Sequence, residues 1–188
     1  IYTDPVSSQL IKYLSNTYLP LRLSFVNEAS RIIGELNANQ EDVLKGVGLD
    51  SRIGPDYFRP SPGWGGSCFP KDVKEIQSLA KKQNLNLPLV QSIINSNDIH
   101  ISWFTDKLVD MLKSNNLQKI CLIGAAFKEN TDDIRYSPTF VIYKKLKQLG
   151  VRVEMYDNYV SSDLVLNDFD TLNEDSLIVE MFPLDDSY

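Results

Sequence analysis

The chain has 188 residues, 43% of them apolar and 23% charged, with a formal net charge of −6 at pH 7. That balance is ordinary for a globular protein, its acidic excess argues against a general nucleic-acid binder, and no apolar run reaches the roughly eighteen residues of a membrane span. With one histidine and two cysteines, Cys68 and Cys121, neither a zinc site nor a disulfide framework is expected. The cysteine usage suits a reducing cytoplasm, and no basic and apolar leader opens the sequence.

Residues 1–117 read as mainly helical. A long first helix starts at Pro5 or Ser7. Leu10, Leu14, Thr17, Leu21, Phe25 and Ile32 recur at intervals of three and four, or near multiples, and mark one face of it. Lys12 and Asn16, one turn apart, point the same way. Pro20 cannot donate to the carbonyl of Asn16 and should bend this helix. A second helix is expected from Gln40 to Val47, capped by Asn39 and closed by Gly48. Leu49 to Ser67 is irregular, with three prolines and four glycines; loops of this length are uncommon unless they carry function. A third helix should follow Cys68 and end near Gln83. A fourth begins near Pro88, where Val90, Ile94, Ile101, Phe104, Leu108 and Met111, with Asn97 in the seam, keep a heptad pattern to about Lys113. Such a helix would be about 39 Å long, either a core element or a spine for pairing with a second copy.

The pattern changes at residue 118. Lys119 to Gly124 reads as a short buried strand, Pro138 to Leu149 as a helix capped by Ser137 and stopped by Gly150, Val151 to Tyr156 as a second strand and Ser176 to Met181 as a third. Strand, helix, strand with short connections implies a parallel sheet. Ligands on such sheets bind beyond the carboxyl ends of the strands, which is where the loop Ala125 to Arg135 falls. The expected fold class is α + α/β: a helical domain, 1–117, followed by a partial Rossmann-like parallel-sheet domain, 118–188.

The most informative run is Gly63-Trp64-Gly65-Gly66-Ser67-Cys68-Phe69-Pro70-Lys71-Asp72. Its glycines let backbone approach a ligand closely. Pro70 suits the first turn of a helix, so Cys68 lies at a helix N-terminus, where the dipole favours thiolate. A buried, inert thiol is the commoner fate of a lone cysteine. An N-terminal helix charge is the plain reading of Asp72, and a surface charge that of Lys12. Arg52, Arg59, Lys71, Lys128 and Arg135, all in or beside loops, are the cations available to an anionic ligand.

Residues 65–72, GGSCFPKD, resemble the active-site signature of the UDP-glucose 6-dehydrogenase family. Residues 4–28 resemble the family's helix bearing a lysine and an asparagine, residues 50–54 (DSRIG) its substrate loop, and residues 124–138 (GAAFKENTDDIRYSP) the opening of its C-terminal domain. Pro20 departs from the family pattern. The resemblance implies oxidation of the C6 hydroxymethyl of UDP-glucose to UDP-glucuronate by two hydride transfers to NAD. Cys68 would be the nucleophile that forms a thiohemiacetal and then a thioester. Lys12 and Asn16 would stabilise the developing oxyanion, and Asp72 would help activate water or hold the lysine. Arg52, Tyr57, Ser61, Gly65 and Lys128 would bind the substrate, with Arg52 reaching a neighbouring subunit's site, and Arg135 would lie near the cofactor. No metal is implied. The resemblance favours a homodimer through the helix over 88–113. Ser67 and Phe69 flanking the cysteine resemble the UDP-glucose branch; GDP-mannose and UDP-N-acetylhexosamine are the alternative substrates.

No strand leads into G-x-G-x-x-G. In the family that fingerprint belongs to an N-terminal NAD-binding domain, so the sequence reads as the central domain plus part of the C-terminal one, inactive alone and at least a UDP-sugar-binding or oligomerisation module. Two rival readings have less support. A cysteine hydrolase would need His100, the only histidine, beside Cys68. A redox sensor would need Cys121, which sits in an apolar strand.

Overall fold

The computed structural model describes residues 1–169, 172 and 175–183. Residues 184–188 of the expected second domain lie outside the described residues, as do 170, 171, 173 and 174. The chain forms two compact units: Ile1–Gly63 with Cys68–His100, and Trp64–Ser67 with Ile101–Tyr188. The long helix near the middle is thus shared between the units, and the glycine-rich strap before Cys68 belongs to the second.

The first unit holds α1 (Pro5–Glu35), α2 (Gln40–Gly48), α3 (Phe69–Lys82) and the first half of α4 (Pro88–Ser114). Asp4 caps α1, its carboxylate accepting from the Val6 and Ser7 N–H groups at 3.0 Å each. The helix runs on through Pro20, which is buried. Asn39 caps α2 by accepting from Asp42 N–H at 3.1 Å. Cys68 is the N-cap residue of α3, Pro70 stands in the first turn, and Lys81 and Lys82 in the last turn suit the dipole.

The burial of α1 is unlike its sequence pattern. Leu10, Leu14, Phe25 and Ile32 of the periodic apolar row are exposed, whereas Thr17, Pro20, Ser24, Val26, Asn27, Ser30 and Ile33 are buried. α1 packs on α3 and α2. Its inward face is largely short side chains, Thr17 of the row among them, so most of the apolar row is left outside. The small core here is Val26, Ile33 and Leu44, with Ala29 and Phe58 against it.

The second unit is a parallel sheet of β1 (Lys119–Ile123), β2 (Val153–Tyr156), β3 (Val165–Leu166) and β4 (Ser176–Glu180), with α5 (Pro138–Gln148) between β1 and β2. Strand order is β3-β2-β1-β4, and Ile120 lies opposite Val153 on one side and Leu177 on the other. The two-residue β3 is too short to show a sequence period. Ser137 caps α5 by accepting from Thr139 N–H at 3.2 Å, and Gly150 follows the helix with φ +75°. Ile120, Leu122, Ile142, Leu146, Val153 and Met155 form the core together with Ile101 and Leu108 of α4. Of the heptad row of α4, Ile101, Phe104 and Leu108 thus enter this core, while Met111 is exposed. A helical unit followed by a parallel α/β unit is the fold class expected from the sequence. No described helix is long and apolar enough to cross a membrane, and no group of metal ligands occurs among the described residues.

Candidate active site

At the start of α3 the Cys68 side chain is exposed and forms no disulfide. One turn on, the Asp72 N–H donates to the Cys68 carbonyl at 2.9 Å, and the Asp72 side chain is fully buried. Three side chains converge on that carboxylate. Asn16 Nδ2 donates to Oδ2 at 2.7 Å, Lys71 Nζ lies 2.6 Å from Oδ1, and Lys12 Nζ lies 3.8 Å from Oδ2. Lys12 and Asn16 reach it from the same face of α1, as their spacing requires. Tyr13 sits between the two lysines, each ammonium 5.9 Å from its ring centroid. Lys71 stood out in the sequence only as a loop cation; its place beside Asp72 follows from the packing of α3 on α1.

The electrostatics follow from this geometry. Burial pushes the Asp72 carboxyl up, but the Asn16 amide, the Lys71 hydrogen bond and the charges of both lysines outweigh it, so its pKa falls below the ordinary value. Lys71 is raised, first by its bond to Asp72, with a smaller contribution from Cys68. A carboxylate accepts only, so the Asn16 amide must turn its nitrogen toward Asp72. One N–H of that nitrogen remains for a ligand, and each lysine keeps donors.

The loop between α2 and α3 carries the next candidates. Arg52 is exposed and pairs bidentately with Asp50, Nε to Oδ1 at 3.0 Å and Nη2 to Oδ2 at 2.6 Å. Tyr57 is exposed with φ +53°, an uncommon conformation for an aromatic residue. Ser61 Oγ donates to the Gly63 carbonyl at 3.1 Å. His100, buried, has its Nε2 2.8 Å from the Ser61 carbonyl. Cys121 is buried in β1, and burial raises its pKa; it is a core thiol.

The remaining candidates stand on the second unit. Gly65 is buried, and a Cβ there would lie 1.9 Å from the Tyr136 carbonyl oxygen. Gly66, at φ +83°, donates its N–H to the Arg135 carbonyl at 3.0 Å, and a Cβ on it would meet the Phe127 ring at 2.7 Å. The glycines of the strap are thus required by contact with the 124–137 segment. Lys128 is exposed, its Nζ 5.6 Å from the Phe127 ring centroid. Arg135 clamps Asp133, Nε to Oδ1 at 2.9 Å and Nη2 to Oδ2 at 2.7 Å, and its hydrogen bonds hold that carboxyl at a pKa of about 2.

A dinucleotide on this strand order would use the first β-to-α turn and a carboxylate after the second strand. Here the Ala125 and Ala126 N–H groups donate to Asp157 Oδ2 at 2.7 and 3.3 Å, and Tyr159 and Val160 donate to its Oδ1 at 2.8 and 3.0 Å. A Cβ on Gly124 would strike the Phe182 ring at 2.7 Å. The groups that would hold pyrophosphate and ribose already bond one another, so the described residues of this sheet do not fit NAD.

Two family models match the chain. The central domain of the UDP-glucose/GDP-mannose dehydrogenase family covers residues 6–99, and the UDP binding domain of the same family covers residues 121–178. The chain belongs to this family. It is 38% identical over 158 residues to a UDP-glucose 6-dehydrogenase of Rickettsia felis, an alignment spanning 84% of this chain and 35% of that one. It is 38% identical over 157 residues to the Bacillus subtilis UDP-glucose 6-dehydrogenase TuaD, spanning 84% and 34%. Among solved structures, a UDP-glucose dehydrogenase from Pyrobaculum islandicum superposes with a TM-score of 0.79 at 29% identity over 96% of this chain and 45% of that one. The UDP-N-acetyl-mannosamine dehydrogenase Cap5O of Staphylococcus aureus gives 0.79 and 29% over 100% and 46%. The chain spans about a third of the length of these curated relatives.

Proposed function

We propose that this chain carries the thiol-bearing and nucleotide-binding parts of a nucleotide-sugar 6-dehydrogenase acting on UDP-glucose. The observation that carries the reading is the exposed Cys68 at the start of α3, one turn before a buried carboxylate that gathers Lys12, Asn16 and Lys71. NAD would supply the hydride acceptor in this chemistry, with Arg135 as the cofactor-side candidate among the described residues. The chain's own part is thiol chemistry. The Cys68 thiolate adds to the C6 carbonyl carbon of the aldehyde form: a C–S bond forms, the carbonyl π bond breaks, and the charge moves to oxygen. Lys12 and the free N–H of Asn16 receive that oxyanion. Asp72 is a positioning group in this reading. A carboxylate held below its ordinary pKa by three donors is a weak base, but it fixes the Asn16 amide and the lysines.

Tyr57, Ser61 and Lys128 are assigned to the nucleotide sugar. Gly65 contributes by letting the strap lie against Tyr136. Arg52 and Arg135, now bonded to Asp50 and Asp133, would exchange those partners for ligand phosphate or ribose. The domains are a helical part, 1–117, and a sheet part, 118–188, the compact units themselves dividing α4 after His100.

Self-association belongs to the same reading, on a different surface from the one first expected. Ile101, Phe104 and Leu108 of the α4 row are used in the chain's own core, whereas Leu10, Ile11, Leu14, Tyr18, Phe25 and Ile32 are exposed on α1. At 100° per residue they share an arc of about 100°, roughly opposite Lys12 and Asn16. A homodimer is therefore assigned to this face of α1.

Titration calorimetry tests the substrate reading. UDP-glucose should bind the chain more tightly than UDP-N-acetylglucosamine or GDP-mannose, and the chain alone should reduce no NAD. Equal or absent affinity for all three sugars would refute it.

A further inference from the structure

The loop after α2 is held from both sides by buried polar side chains with no part in the thiol chemistry. The Ser61 N–H donates to Asn27 Oδ1 of α1 at 2.9 Å, and the Ser61 carbonyl lies 2.8 Å from His100 Nε2 of α4. A carbonyl only accepts, so Nε2 carries the proton. Asn27 and His100 are 0% and 2% exposed. Upstream, Arg22 of α1 donates Nη1 to the Ile53 carbonyl at 2.7 Å and Nη2 to the Gly54 carbonyl, with its guanidinium 5.1 Å from the Phe58 ring centroid.

Packing alone does not account for this arrangement. A buried amide is costly unless bonded. The Asn27 oxygen serves Ser61, while its nitrogen meets no partner. An apolar residue of similar size would fill the same space without that cost, so the asparagine is explained by the Ser61 peptide. Residues 53–61 contain no helix or strand, and their backbone groups must find partners elsewhere. Between the two anchor points stands Tyr57 at φ +53°. Such conformations persist where the surroundings over-determine them.

We propose that Asn27 and His100 are positioning residues of the substrate loop, a two-sided clamp on the Ser61 backbone that, with Arg22, holds residues 53–61 in the shape that receives the nucleotide sugar. The clamp rests on the substrate reading above for its purpose, though not for its geometry. It acts through Ser61 and Tyr57, with neither Asn27 nor His100 touching the sugar.

Hydrogen exchange and calorimetry on the full 188-residue chain test it, using Asn27→Leu, His100→Phe and the donor-preserving His100→Gln. Asn27→Leu and His100→Phe should each speed exchange across residues 53–63 by about tenfold, leave α1 and α3 protected, and weaken UDP-glucose binding by a similar factor. His100→Gln should stay near the unsubstituted chain in both measurements. Unchanged loop exchange in both Asn27→Leu and His100→Phe overturns the clamp, as does an equal rise in α1 and α3, which is general loosening. If the unsubstituted chain binds no UDP-glucose, the substrate reading fails, and the exchange pattern alone decides the clamp.

Discussion

A single methyl group separates glycine from alanine, and at position 65 there is no room for it. The added carbon would lie 1.9 Å from the Tyr136 carbonyl oxygen, a backbone atom that no rotamer change can move aside. Gly65→Ala should destabilise the second unit by about 1–3 kcal/mol, the usual cost of overpacking. At Gly34, an exposed α1 position with nothing within 4 Å of an added Cβ, the same change should stabilise by about 0.5–1 kcal/mol through helix propensity. Thermal melts of the two variants check both signs. The sequence shows identical residues at these positions; only the packing separates them. Lys71 is similar. Its neighbour Asp72 and the cysteine three positions before it were legible in the motif, but its bond to a carboxylate that also holds an α1 amide depends on α3 lying against α1.

At the level of elements, α1 has two working faces. One buries Asn27 and carries Lys12 and Asn16 toward Asp72; the other exposes Leu14, Tyr18 and Phe25. Periodicity identified an apolar row without saying what covers it, because a 3.6-residue repeat looks the same against a core or against a second chain. The seam of α4 was equally legible and equally silent on its partner, which for Ile101, Phe104 and Leu108 proves to be the sheet's core. Charging the outer face of α1 with Leu14→Lys and Phe25→Lys should convert a dimer to a monomer in sedimentation velocity. Helix content and UDP-sugar affinity per chain should change little, apart from any share that Arg52 contributes across the pair. A wild-type monomer at high concentration would remove the dimer assignment.

For the molecule as a whole, acidification acts through the first unit in one direction. Burial holds His100 below its ordinary 6.5, with the Arg31 charge adding to it and the Ser61 bond and Glu28 opposing it. The unfolded chain thus takes up this proton first, so the stability His100 contributes is complete above about 6.5 and is lost as pH falls through the lower folded value. Asp72 is also depressed, so its contribution is present above about 3.8 and is lost below it. Chemical denaturation followed across pH should show two falls on acidification. Asp72→Asn should shrink the lower one, which Asp50 and Asp133, also held low by their arginines, share, and His100→Gln should remove the upper one.

The sequence by itself determined the helices and every described strand but β3, the caps at Asn39 and Ser137, the stop at Gly150 and the cysteine at a helix start. Each of these depends on backbone preferences or on groups a few residues away. It also carried the family, because GGSCFPKD and three other separated segments keep their order. Tertiary structure alone decided which face of α1 is covered, that Gly65 serves a contact with Tyr136, and that Asn27 and His100 meet on the backbone of one residue, Ser61. Those outcomes depend on distances between residues as many as 73 positions apart, Asn27 and His100 among them, and no local pattern encodes such a distance.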